Sequence, residues 1–351
     1  MSESPHTDAA LHCIARDDTA SGGKVICVTV TYGDRQALLQ LVLDSLPAQG
    51  VARVVVVDNG ASWDVAASLA ARHGTFADVV TMGRNTGSAG GFKAGIERAM
   101  ALQAGFIWLL DDDNRPRPGC LDELLGAYAR ERETVPGDRL AVLAFRPEHQ
   151  ADVAAGVPIR HINARQDSFC GFHVLDIPYK FWRRTRWGRP RGPVPAWVRL
   201  DVAPYGGLLL GREVVQAIGV PDERFVLYAD DTEHTWRITA RGGRIVLVTA
   251  ARIEDLESSW NIKARFGNSF AGWLRGSSEL RAWYGMRNQA WFDTHRRCRR
   301  PAICTLNRLL YMALLRLAAW RSGTGDRYAL LRQAAAAGRA GQLGPRQEKA
   351  P

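Results

Sequence analysis

The chain has six cysteines, at 13, 27, 120, 170, 298 and 304, and none forms a CxxC pair. This excludes a zinc-finger framework and leaves the cysteines reading as reduced, mostly buried thiols of a cytosolic protein. The first 22 residues are polar and of mixed charge, with no apolar core of the kind a signal peptide needs. They read as a flexible tail. No uncharged stretch is long enough to span a bilayer. Neither paired Cys/His fingers nor an aromatic RNA-binding motif is present, so no nucleic-acid partner is expected despite the basic balance. There is no internal repeat, and no Walker loop or dinucleotide fingerprint.

The composition is that of a large globular unit. The 351 residues are 46% hydrophobic, with a formal net charge of +10 and a pI near 9.6. Charge is segregated. Basic residues are dense at 180–191 and 296–300, and acids gather at 111–113 and 222–233. Such a separation points to an anionic surface partner together with a cation site.

Strand-like and helix-like patterns alternate along the first third. Apolar β-branched runs at 25–31, 54–57 and 79–82, and the run at 106–110, predict buried strands. Between and after them, 34–46, 65–73, 90–103 and 120–132 have helical spacing. That rhythm predicts an α/β fold, with a mostly parallel central sheet flanked by helices. Turn chemistry follows each strand: Thr31-Tyr32-Gly33-Asp34, Asp58-Asn59-Gly60, Gly83-Arg84-Asn85 and Asp111-Asp112-Asp113. Carboxyl ends of such strands line one sheet edge, where ligands of open α/β sheets bind. Residues 140–200 lack a clear period and read as an irregular insertion near an acceptor. Regular structure resumes at 206–218, 232–240 and 244–248, and from 279 to near 340 the chain reads as helical.

Four constellations carry chemistry. Three acids after the apolar run 106–110 are costly at the end of a buried strand unless a cation meets them. They read either as a solvated turn or cap, or as a divalent cation held by Asp111 and Asp113, and the rest of the chain favours the cation. The small-residue stretch Gly83 to Gly95 opens a helix, which suits either an approaching phosphate or tight helix–sheet packing. Asp230-Asp231-Thr232-Glu233 also opens a helix. One acid there serves as a cap, and a second, kept ionised, can act as a general base. Glu254-Asp255-Leu256-Glu257 offers hard oxygen ligands or a plain solvated loop. Finally, the cluster 296–300 leads into an amphipathic helix near 302–321, which is either packed on its own domain or lying on an anionic membrane.

In this order the motifs resemble family 2 glycosyltransferases of the GT-A nucleotide-diphospho-sugar transferase fold, over residues 24–292. The blocks are Val28 to Tyr32, Val57-Asp58-Asn59, Asn85-Thr86-Gly87 with Ala89-Gly90-Gly91, the acid triplet, Asp230 to Glu233, and Tyr284-Gly285-Met286-Arg287-Asn288. Ala203-Pro204-Tyr205-Gly206-Gly207 and Tyr228-Ala229-Asp230-Asp231 look most like galactofuranosyltransferase-like members, with rhamnosyltransferase-like members close. The resemblance implies a flexible tail at 1–22 and a transferase domain at 23–292, with a nucleotide half at 23–135 and an acceptor half at 136–292. A basic amphipathic helical region at 293–351 follows. It also implies a metal-dependent inverting transfer from a nucleotide diphosphate sugar, with a UDP-sugar favoured, to a glycan or lipid-linked saccharide of the cell surface. Thr31 and Asp58 would hold the base. Arg84, Asn85, Gly87 and Asp112 would lie along the donor, Asp111 and Asp113 would hold Mn²⁺ or Mg²⁺, and Asp231 would be the general base. The galactofuranosyltransferase pattern has a metal-binding histidine after the base helix. Here Asp255 stands as its substitute, with Glu257 the alternative. The expected location is cytoplasmic, peripheral on the cytoplasmic face of the inner membrane. Rival readings are a rhamnosyltransferase with a thymidine diphosphate donor, a nucleotidyltransferase, and a non-catalytic sugar-nucleotide-binding assembly protein.

Overall fold

The computed structural model describes residues 23–190, 192–257, 269–276 and 278–346. The expected tail at 1–22, with Cys13, lies outside the described residues. Nine strands form one sheet: β1 (Val25–Gly33), β2 (Arg53–Ala61), β3 (Ala77–Thr81), β4 (Phe106–Asp111), β5 (Asn114–Pro116), β6 (Leu140–Phe145), β7 (Trp197–Leu200), β8 (Leu208–Gly211) and β9 (Arg244–Asp255). The order is β3-β2-β1-β4-β8-β6-β9-β5, with β7 also on β9. The β3-β2-β1-β4 part is wholly parallel. β8 runs antiparallel between β4 and β6, and β6 and β9 are parallel. The expected α/β class, with a sheet parallel through its nucleotide half and helices at the C-terminus, is what the chain adopts.

The two-residue period of the strands explains the layers. On β1, Cys27 faces one side with Val54, Val56, Trp108 and Leu110, covered by the helices Gln36–Ser45, Val65–His73 and Cys120–Arg132. Ile26 and Val28 face the other side with Val55, Val57, Ile107 and Leu109, under Phe92 and Ile96 of the helix Gly87–Ala101. A sheet buried on both faces reads as continuous apolar runs, which is why these strands were legible. The glycine-rich stretch forms the first turns of its helix, which therefore begins at Gly87, three residues before the expected 90.

Two expectations are corrected. Within the supposed irregular insertion 140–200, β6 is a fully buried strand and β7 pairs with β9. The run Leu140 to Phe145 is apolar throughout, but with two alanines and a single β-branched residue, Val142, it is as helix-like as strand-like in sequence. The second correction concerns the thiols: Cys298 and Cys304 form a disulfide, with Cα atoms 6.0 Å apart. Cys27 and Cys120 are free and buried, and Cys170 is free and half-buried.

A third apolar cluster holds the C-terminal helices together. Ala282, Met286 and Ala290 of the helix Glu279–Phe292 pack with Tyr311, Leu315 and Ala319 of the helix Pro301–Ser322 and with Leu331 and Ala334 of the helix Gly325–Arg339.

The helix Gly87–Ala101 approaches the sheet so closely that a Cβ on Gly95 would sit 2.3 Å from Val28 Cγ1. Gly95→Val is expected to cost about 2 kcal/mol by overpacking, read as a lowered melting temperature of the folded chain.

Candidate active site

The C-terminal edge of the parallel strands opens into a cavity of about 1070 Å³. Its wall includes Arg84, Asn85, Gly87, Asp111, Asp112 and Asp113, six of the residues expected at a donor or metal. The other four expected residues are not on that wall. Thr31 is fully buried, opposite Asp58 in the β1–β2 register. The Asp58 carboxylate accepts from the Gly60 and Ala61 amides at 3.2 and 2.9 Å, closing the turn. Asp231 is half-buried in the first turn of the helix Asp230–Ala240, where it accepts from the Thr232 amide at 2.6 Å. Asp255 is the clearest departure. Its carboxylate is 3% exposed and accepts from Asn114 Nδ2 and Arg146 Nε, each at 2.8 Å. It was expected to face a metal, and it is instead neutralised by an arginine from the segment read as an insertion. Glu257, the alternative, does reach the wall, paired with Arg35 at 2.6 Å.

Two guanidinium groups hold the acid edge. Arg35 donates to both oxygens of Asp112 at 2.9 Å and lies 3.5 Å from Asp113. Arg146, almost fully buried, bridges Asp255 to Asp111, whose oxygen it reaches at 3.2 Å. Two cations do not balance these acids. Burial first, then Asp111 and Asp112, pushes the Asp113 carboxyl up to about 7. Burial pushes Asp112 up to about 6 against the pull of Arg35. A further cation would relieve both, and hard carboxylate oxygens suit Mg²⁺ or Mn²⁺. The residues present therefore fit such an ion. His149 also lines the cavity, its Nε2 2.8 Å from Arg146 Nη2. Burial, then Arg146, lowers its pKa.

Opposite the acids stands the N-terminus of the helix Gly87–Ala101. Asn59, which the sequence reading left unassigned, fastens it. Asn59 Oδ1 accepts from the Thr86 amide and hydroxyl at 2.8 and 2.9 Å, and Nδ2 donates to Gly87 O at 3.0 Å. Gly87 has φ +79, and a Cβ there would fall 1.9 Å from Val226 O. Only glycine lets the two loops touch.

The partner loop is strained. Val226, Tyr228 and Ala229 all have positive φ, at 64, 69 and 57°. Each such non-glycine residue costs on the order of 1 kcal/mol or more, so the surroundings must hold it. Asn288, fully buried, does so: its Nδ2 donates to the carbonyls of Phe225, Leu227 and Tyr228, each at 2.8 Å. Arg287 adds a bond to Phe225 O at 3.0 Å. This turn delivers Asp230 and Asp231. Asp230 accepts from Ser88 Oγ at 3.0 Å, tying the acid pair to the glycine loop. Burial, then Asp231, raises the Asp230 carboxyl; burial, with Asp111 adding, raises Asp231 to about 6 against the Thr232 hydrogen bonds. The block Tyr284 to Asn288 had been recognised without a role; its spacing alone could not show that an asparagine there answers three carbonyls sixty residues away.

The parallel half of the sheet thus brings acids and a glycine-opened helix around one cavity. Residues 26–152, β1 to β6, match the family model Glycosyl transferase family 2. The chain is also 27% identical over 222 residues to the galactofuranosyltransferase GlfT1 of Mycolicibacterium smegmatis, covering 62% of this chain and 67% of that protein. Among solved structures, GalNAc-T7 with UDP, GalNAc and Mn²⁺ aligns with a TM-score of 0.49 at 12% identity, over 79% of this chain and 48% of the other, about half its length. Residues 1–349 of Staphylococcus aureus TarS align with a TM-score of 0.45 at 16% identity, over 91% and 92%.

Asn288→Ala would leave the Leu227 and Tyr228 carbonyls of the strained turn without that donor, at about 1–3 kcal/mol for a buried unsatisfied group. The expected result is at least tenfold faster amide exchange across 226–231, with the exchange of β1 and β2 little changed, read by hydrogen-exchange mass spectrometry.

Proposed function

We propose that the protein is a metal-dependent inverting glycosyltransferase. It moves a sugar from a nucleotide diphosphate donor, UDP-galactofuranose by preference, to a hydroxyl of a glycan or lipid-linked saccharide in cell-surface polysaccharide synthesis. The observation that carries this is the meeting of three groups around one cavity: the acid edge, the N-terminal end of the glycine-opened helix, and the turn Val226 to Tyr228 that leads into Asp230 and Asp231. The likeness to a galactofuranosyltransferase supports the choice of sugar.

Roles follow from placement. The positive end of the helix Gly87–Ala101 and the Arg84 side chain, both at the cavity, would receive the diphosphate. Asp111 and Asp113 would hold Mn²⁺ or Mg²⁺. Bound there, the ion neutralises the departing diphosphate as a Lewis acid. Arg35 and Arg146 fix the acids so that little reorganisation remains at the moment of transfer. Asp231 takes the proton of the acceptor hydroxyl as its oxygen attacks the anomeric carbon and the bond to the diphosphate breaks. One displacement inverts the anomeric centre. Tyr228 and Tyr284 on the cavity wall give the acceptor sugar apolar faces to lie against.

Three measurements bear on this reading. Uridine diphosphate with Mn²⁺ should raise the melting temperature, and either alone should raise it less. Asp231→Asn should reduce transfer by about 10² to 10⁴ while leaving donor binding in place, whereas Asp113→Ala should abolish the Mn²⁺ effect on binding. Because the base works ionised and its carboxyl is raised to about 6, kcat/KM should fall as pH drops through that region. Unchanged transfer in both variants would refute the assignment.

A further inference from the structure

The helix Pro301–Ser322 is apolar on two opposite sides. Asn307, Tyr311, Leu315 and Ala319, four residues apart, are buried against the domain. The other side exposes Leu306, Leu309, Leu310, Leu314, Leu317 and Trp320, with Leu309 56% and Trp320 77% open. By length and composition this helix is long and apolar enough to cross a bilayer. Its inner side, however, is fastened: Asn307 Nδ2 donates to Asp167 O at 2.8 Å, and Asn307 Oδ1 accepts from the Val174 amide at 3.0 Å. It therefore lies flat on its own domain with a leucine and tryptophan stripe turned outward.

A second exposed apolar group sits beside it. The Phe172 ring packs 6.1 Å from Tyr311 of that helix, and Lys180 lies over Phe172. Lys180 belongs to the short helix Ile177–Trp182. Leu175, Phe181, Trp182 and Trp187, all within about twelve residues, are more than half exposed. Charge at both elements is predominantly positive. The helix Pro301–Ser322 has three arginines and no acid, and 175–189 has Lys180 and arginines at 183, 184, 186 and 189 against one acid, Asp176, which pairs with Arg165, while Arg183 pairs with Asp152. Arg299 and Arg300 are exposed at the entry to the long helix.

We propose that this edge, the stripe Leu306 to Trp320 with the aromatic segment 175–189, is a docking surface for an anionic lipid bilayer. Apolar side chains enter the headgroup boundary while the guanidinium groups meet lipid phosphates. A second copy of the chain is the poorer occupant, because it would bring the same cations against themselves on a molecule of net charge +10. The inference needs no assumption about donor, metal or acceptor. It gives the proposed transferase a position at the surface where a lipid-linked acceptor would be found.

The test is co-sedimentation of the full chain with phosphatidylcholine vesicles, with and without phosphatidylglycerol, in the absence of donor and acceptor. Binding is expected only to the anionic vesicles, and it should fall at least tenfold at high salt. Leu309→Glu with Leu317→Glu should reduce it tenfold or more, as should Arg184→Glu with Arg186→Glu, which leaves the helix untouched. All of these positions are exposed, so an unchanged melting temperature should accompany the loss. The proposal is overturned by binding to neutral vesicles alone, by no binding, or by a dimer in light scattering that Leu309→Glu dissociates. Uridine diphosphate binding retained by non-binding variants separates this failure from failure of the transferase reading.

Discussion

The acid edge held by Arg35 and Arg146 is the constraint on which the site depends. Carboxylates at the end of a buried strand are stable only if their charge is answered, and here the answer comes from two distant parts of the chain. Arg35 follows β1 and locks Asp112; Arg146 follows β6 and locks Asp111 to Asp255. Asn114 completes the frame by donating to Asp113 and Asp255. The frame is rigid but still short of positive charge, as the raised Asp113 carboxyl shows. An edge with fixed geometry and a remaining charge deficit is what a divalent cation requires of a protein.

The other wall is held by strain rather than charge. Three positive-φ non-glycine residues precede Asp230, and Asn288 donates to carbonyls of the same turn, at Phe225, Leu227 and Tyr228. Gly87 and Val226 touch where no side chain fits between. Donor loop and base-bearing turn therefore form one unit, and Ser88 closes it by donating to Asp230. Positions fixed in this way lower the reorganisation that a transfer step would otherwise require.

Legibility in the sequence followed physical locality. β1 to β4 and their helices were readable because each signals within a few residues: an apolar run, a turn, a helical period. The acid triplet and the glycine stretch were readable for the same reason. β6 was missed because its short run, with two alanines and one β-branched residue, does not separate a strand from a buried helix turn. Asp255 was placed at a metal because sequence shows a carboxylate and not its partner; Arg146, 109 residues earlier, decides its role. His149, Asn59 and Asn288 share that condition. Each acts through a contact distant in sequence, and a single chain without its fold displays no sign of it.

The C-terminal helices join the two proposals mechanically. The helix Glu279–Phe292 places Asn288 under the strained turn and turns Ala282, Met286 and Ala290 toward Tyr311 and Leu315 of the helix Pro301–Ser322. One rigid element thus touches the turn carrying Asp231 on one side and the lipid-docking helix on the other. Side chains packed at crystal-like density transmit position without slack. A bilayer contact at Leu309 and Trp320 would therefore set the orientation of the cavity toward the surface, with Tyr284 of the same helix on its wall.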